Sequence, residues 1–156
     1  RASEIAQKAG RKVALTLSDS FCVNRHRESF QHLVKNHVDI LFANEEETKA
    51  LFEKDNFDDA AAEISSHVEI AVLTRGSKGA LILSGGKRIE VPVQPVTVVD
   101  PTGAGDAFAA GFLYGLTQEK SLEECGKLAV LAAAQIISHI GPRSETSLAD
   151  LVPKAA

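Results

Sequence analysis

The chain alternates between short continuous apolar runs and segments whose apolar residues recur every three or four positions, the marks of buried strands and amphipathic helices. In residues 2–10, Ile5, Ala6 and Ala9 share a helical face, and Gly10 supplies a stop. Residues 12–17 read as a buried strand, and a loop around Ser18-Asp19-Ser20 leads to a helix over 24–36 with Phe30, Leu33 and Val34 on one side. Residues 38–43 form a second apolar run, followed by helices over 45–54 and 58–67. Four strand-like runs come next, at 69–74, 79–83, 88–91 and 96–99, with Gly85-Gly86 as a hairpin signal. Two helices close the chain. One covers 105–116; the other starts at Ser121, whose Glu124 completes a capping box, and runs to about His139.

Strand–helix–strand–helix order predicts an α/β fold with a mostly parallel sheet and helices on its faces. With no internal repeat and no low-complexity linker, a single domain over 1–156 is expected. Composition narrows the function classes. Hydrophobic residues make up 44% and charged residues 24%, with a net charge of −4, which argues against a general nucleic-acid binder. The short basic cluster Arg25-His26-Arg27 reads as a solvated helix face. No apolar run approaches the roughly 20 residues of a membrane span. Cys22 and Cys125 lack metal-ligand spacing, which favours free thiols in a reduced, cytoplasmic setting. The amino terminus has neither a signal-peptide core nor a methionine, and the chain contains no Met at all, which fits a fragment or processed chain.

Chemistry concentrates between Val98 and Phe112. A β-branched run ends in Asp100, a Gly103-Ala104-Gly105 turn follows, and a helix begins beneath it. Small residues let the N–H groups of Gly103, Ala104 and Gly105 turn outward at a helix start, where they and the helix dipole can hold phosphate oxygens. Asp106 in the first turn then supplies a carboxylate able to take a proton from a hydroxyl, a phosphotransferase arrangement. A Gly-rich strand-to-helix turn with an acidic residue also occurs for purely structural reasons. The pattern matches neither the Walker loop nor the dinucleotide fingerprint.

Asp100-Pro101-Thr102-Gly103-Ala104-Gly105-Asp106-Ala107-Phe108, with Gly111-Phe112 beyond, closely resembles the C-terminal signature of the ribokinase-like (PfkB) carbohydrate kinases. Two further elements match in order. Asn44-Glu45-Glu46-Glu47 resembles the family's Asn-x-x-Glu motif, and Thr74-Arg75-Gly76-Ser77-Lys78-Gly79 its Thr-x-Gly-x-x-Gly loop over the ATP phosphates. Asn44 and Glu47 also make an ordinary capping box, and the two readings are compatible.

The resemblance implies a three-layer α/β/α ribokinase-like fold, here partial, without the N-terminal half and β-lid. It implies ATP as phosphoryl donor, with Asn44, Thr74, Gly76, Ser77, Gly79, Gly105 and Val130 at the nucleotide, and Glu47 holding Mg²⁺ through water. Asp106 is the implied base, with Gly103, Ala104 and Gly105 as anion hole. Asp100, Thr102, Ile136, His139 and Gly141 match positions around a K⁺ site, although Glu145 stands where many members carry Ser. His139 on its own reads as a helix-end residue favoured by the dipole. The acceptor is a small molecule, adenosine favoured over sugars such as ribose or fructose, and the resemblance leaves room for a homodimer. A non-catalytic nucleotide-binding module is the rival reading. Phe21 reads as core, with purine stacking as its alternative, and Cys22 as a packing residue. Alone, the chain is expected to be inactive.

Overall fold

The computed structural model describes residues 1–144, 147 and 148. The chain divides into two compact units, Arg1–Glu90 and Val91–Ala156. In the first, helix α1 (Ala2–Lys8) precedes strand β1 (Ala14–Thr16), helices α2 (Ser20–Arg25) and α3 (Arg27–Asn36), and strand β2 (Ile40–Asn44). Helices α4 (Glu45–Leu51) and α5 (Phe57–Ser65) then lead to strand β3 (Ile70–Thr74), a 3-10 turn at Gly76–Lys78, and strands β4 (Ala80–Ser84) and β5 (Lys87–Val91). The second unit carries helices α6 (Ala104–Thr117) and α7 (Leu122–Ile137).

The sheet is mixed, in the order β1-β2-β3-β4-β5. β1, β2 and β3 are parallel, each joined to the next through helices, whereas β3 and β4 are antiparallel. Gly85 and Gly86, both at positive φ, make the two-residue connection that brings β5 beside β4. Pleating puts Leu41 and Ala43 of β2, Ala71 and Leu73 of β3 and Leu81 of β4 in one cluster with Val23, Val34, Leu51, Phe57, Ala61 and Ile64 from the helices. The alternate residues Ile40, Phe42, Ile70, Val72 and Ile82 are buried as well. Burial on both faces explains why these strands read as unbroken apolar runs.

Several expectations are corrected. The helix expected over 24–36 is two helices, broken at His26, which leaves helical geometry at φ −125° and ψ 29°. The break lets Arg27 and Gln31 of α3 donate to the carbonyls of Ala50 (3.0 Å) and Leu51 (2.7 Å) at the end of α4. Arg27 is thus engaged, and also pairs with Glu53 at 2.8 Å, while Arg25 and His26 are solvated as expected. Phe21 is not core: it is 74% exposed. Helix α1 forms but buries none of its residues fully, and Ile5 is 61% exposed.

The strand expected at 96–99 does not form. A strand exists only by pairing, and here the N–H groups of Val99 and Asp100 donate to Ile137 O at the end of α7, at 2.8 and 3.3 Å. Pro92 and Pro95, which lack N–H donors, precede the run and further disfavour a ladder. No helix among the described residues is long and apolar enough to cross a membrane.

In the second unit, α6 and α7 approach closely through glycine. A Cβ on Gly111 would lie 2.7 Å from Leu128 O, and one on Gly115 would lie 2.8 Å from Cys125 Sγ. Replacing a mid-helix glycine by alanine ordinarily stabilises by about 1 kcal/mol. Gly111→Ala should do the opposite and cost about 1–3 kcal/mol, because the obstructing atom is backbone and cannot swing aside. A urea titration measures this directly; a midpoint equal to or above that of the parent would contradict the packing account.

Candidate active site

The first unit assembles its candidate groups at the carboxyl ends of β2 and β3, the edge where open α/β sheets place ligands. Parallel register sets Asn44 beside Thr74. Asn44 ends β2 and caps α4: its Oδ1 accepts from Glu47 N–H at 2.9 Å, and Glu47 Oε2 accepts from Asn44 N–H at 2.9 Å. Asn44 Nδ2 also donates to Glu47 Oε1 at 2.7 Å, so the capping box is doubly closed. Glu47 is buried, and burial pushes its carboxyl above the ordinary range. The Asn44 N–H opposes that shift; the carboxylates of Asp19 and Glu46 add to it.

The loop after β3 turns on two glycines. Gly76 has φ 56°, and Gly79 has φ 89° with ψ −142°, a combination open in practice only to glycine. Arg75 N–H donates to Gly79 O at 2.7 Å, closing the turn. Ser77 and Gly76 are exposed at its crest.

The second unit presents the start of α6. Gly103 is its N-cap in the left-handed conformation, φ 83° and ψ 0°, and no side chain caps the helix. Space demands glycine here as well, since a Cβ would meet Pro142 Cβ at 2.8 Å. Ala104 N–H donates to Pro101 O at 3.2 Å. Gly105 has open space on its Cβ side, and Asp106 stands exposed in the first turn. Asp100 ties the approach to this helix. Its Oδ1 accepts from Thr102 N–H and its Oδ2 from Gly141 N–H, both at 2.9 Å. Hydrogen bonds from the Thr102 side chain, then from the Thr102 and Gly141 amides, pull the carboxyl down to about 2.

A backbone-lined helix start beside an exposed carboxylate, and a glycine turn beside an Asn/Glu pair, are the parts a phosphotransferase uses. The family model for pfkB family carbohydrate kinases matches residues 1–148. The chain belongs to the pfkB family. Among its pfkB relatives, an uncharacterized sugar kinase of Archaeoglobus fulgidus is 43% identical, over 72% of this chain and 45% of that protein. A cytidine kinase of Thermococcus kodakarensis is 36% identical, over 78% of this chain and 45% of that protein. The crystal structure of adenosine kinase from Sinorhizobium meliloti superposes with a TM-score of 0.93 at 46% identity, covering 96% of this chain and 46% of that one. The partial ribokinase-like fold is therefore present, and the chain spans about half the length of the relatives it matches.

Within this pfkB chain the expected residues fall into distinct groups. Asn44, Glu47, Thr74, Gly76, Ser77 and Gly79 gather in the first unit; Gly103, Ala104, Gly105 and Asp106 in the second. Of the residues expected around a cation, Asp100, Thr102 and Gly141 are joined by hydrogen bonds. Ile136 lies buried in the last turn of α7, and Val130 half-buried on the same helix. His139 follows α7, its Nδ1 3.2 Å from Ile140 O and its Nε2 buried without a hydrogen-bond partner among the described residues. Glu145 lies outside the described residues. Among the described residues, no group of three His, Cys, Asp or Glu side chains could hold a metal ion.

Sequence reading missed two caps at this level. Asp19 Oδ1 accepts from Cys22 N–H at 2.7 Å to start α2, and Asn56 caps α5. Both are ordinary Asx caps and were open to detection as such.

Asp100 generates a pH prediction. Its folded value lies below the ordinary 3.8, so folding favours the ionised form. The stability it contributes is complete above about pH 4 and is lost as pH falls toward about 2. Asp100→Asn should flatten the acid limb of the stability-against-pH curve in that interval. An unchanged limb would show that the Asp100 hydrogen bonds do not survive in solution.

Proposed function

We propose that this chain is the nucleotide-handling and catalytic half of an ATP-dependent kinase acting on a hydroxyl of a nucleoside, adenosine in preference, with Asp106 as general base. One observation carries the reading: α6 begins on a left-handed glycine turn with no side-chain cap and an exposed Asp106 in its first turn. Helix N–H groups without side-chain acceptors seek an anion, and the dipole adds to that preference.

In this mechanism Asp106 accepts the proton of the acceptor hydroxyl as its oxygen attacks the γ-phosphorus, and ADP leaves in line. N–H groups at Gly103, Ala104 and Gly105 stabilise charge on the transferring group. For Ala104 this requires its 3.2 Å bond to Pro101 O to loosen. The 76–79 turn offers backbone to the nucleotide phosphates, beside Thr74. Magnesium, when bound, neutralises phosphate charge. Glu47 fits contact with it through water, since both carboxylate oxygens already accept from Asn44 and, among the described residues, no group of three His, Cys, Asp or Glu side chains stands ready to hold a metal directly. Asp100, Thr102 and Gly141 brace the approach to α6, where a monovalent cation is the further expectation.

Nucleoside preference draws on the adenosine and cytidine kinases among the relatives. A sugar acceptor is the second reading, favoured by the sugar kinase at 43% identity. A cytoplasmic setting accords with two free thiols, Cys22 and Cys125. The chain alone is expected to lack activity, because it spans about half the length of its relatives.

Phosphorylation of a nucleoside and sugar panel by the intact protein tests the acceptor; ribose or fructose turning over while adenosine does not would rule out the nucleoside branch. Asp106→Asn should lower kcat by about 10²–10⁴ with ATP binding retained. Unchanged turnover rejects Asp106 as base.

A further inference from the structure

Arg75 lies within the loop pattern, at a position where the pattern itself requires no particular residue. Its side chain is nevertheless the most constrained in that loop. The guanidinium carbon sits 4.3 Å from the ring centroid of Phe57, the first residue of α5. Its Nε is buried, without a hydrogen-bond partner among the described residues, and lies 3.6 Å from Glu45 Oε2 in the first turn of α4. Lys78 Nζ, at the other end of the same turn, is 3.5 Å from that carboxylate oxygen. Its main chain frames the turn: Arg75 N–H donates to Gly79 O at 2.7 Å, and Arg75 O accepts from Lys78 N–H at 3.1 Å.

These contacts bind one loop to two helices. A turn that contains two glycines has little stiffness of its own, because glycine has the widest choice of backbone conformations. Something outside the turn must fix its direction. The planar guanidinium meets that need: it stacks on an aromatic face and faces a carboxylate at once, which an ammonium does less well. Glu45 in turn is favoured where it stands by the amino-terminal end of α4. It directly follows Asn44, so the tether runs from the end of β2 to the end of β3 across adjacent strands.

We propose that Arg75 is a positioning residue, which fixes the Gly76–Lys78 turn in its nucleotide-ready orientation through Phe57 and Glu45. Its effect on catalysis rests on the kinase reading above; its effect on the loop does not. Arg75→Ala in the intact protein should raise the KM for ATP about 5–20-fold while kcat changes less than about threefold, the split expected when binding geometry and not chemistry is lost. Arg75→Lys should fall between the two, since charge remains and the planar stack does not. Glu45→Gln, which leaves the Phe57 stack untouched, should give a smaller rise of the same kind.

Hydrogen exchange at the amides of residues 76–79, measured without nucleotide, supplies a readout independent of activity. Arg75→Ala should accelerate it by about fivefold or more while the thermal midpoint shifts by only a few degrees. Exchange and ATP KM both unchanged in Arg75→Ala and Glu45→Gln would overturn the proposal and leave the kinase reading standing. Faster exchange in a protein that transfers no phosphate to any acceptor would uphold the anchor and remove the kinase reading instead. A fall in kcat with ATP KM unchanged would also overturn it, by placing Arg75 in the chemistry.

Discussion

Every helix starts with N–H groups that have no acceptor within the helix, and how each start is satisfied organises this molecule. Asp19, Asn44, Asn56 and Ser121 supply side-chain oxygens to α2, α4, α5 and α7. Helices α1, α3 and α6 have no side-chain cap, and α6 differs from the other two in starting on a left-handed glycine. It begins on Gly103 with no side-chain cap, where a Cβ would collide with Pro142 and the backbone has positive φ. An amino-terminal end left to the backbone in this way is suited to an anion from outside the chain. The same rule places Glu47 beside Asn44, because the capping box that closes α4 joins the two.

Two carboxylates show how environment divides similar groups. Glu47 is buried, and its charged form is disfavoured although an N–H donates to it. Asp100 accepts from Thr102 and Gly141, and its charged form is favoured strongly. One result follows from lost water, the other from gained donors. The consequence is mechanical as well as electrostatic. Asp100 links the turn ahead of α6 to the segment beyond α7, and Val99 and Asp100 donate to the last turn of α7, so the approach to Asp106 is held at several points within its unit.

Glycine performs separate tasks along the chain. At Gly79 and Gly103 the backbone itself demands it, through positive φ. At Gly111 and Gly115 the conformation is plain helix and the demand comes from α7, whose backbone and Cys125 sulfur come too close for any side chain. Within the second unit close packing against α7 fixes α6; within the first, the glycine turn after β3 is closed by the Arg75 N–H on Gly79 O.

Most of the helices and strands, both capping boxes and the Gly85-Gly86 hairpin could be read directly, because each depends on residues within about four positions of one another. So could the glycine turn at Gly103 and the place of Asp106 in the first turn of the helix that follows it. Other features depended on partners far along the chain. Val96–Val99 has the composition of a strand and is not one, since its neighbourhood offers the carbonyl of Ile137 in place of a ladder. Phe21 is apolar yet exposed; helix 24–36 breaks so that Arg27 and Gln31 can reach the end of α4. Gly103 answers to Pro142, Gly111 to Leu128, and Arg75 to Phe57 and Glu45. Short-range geometry is encoded by adjacent residues; burial, pairing and close approach belong to surfaces that meet only when the chain has folded.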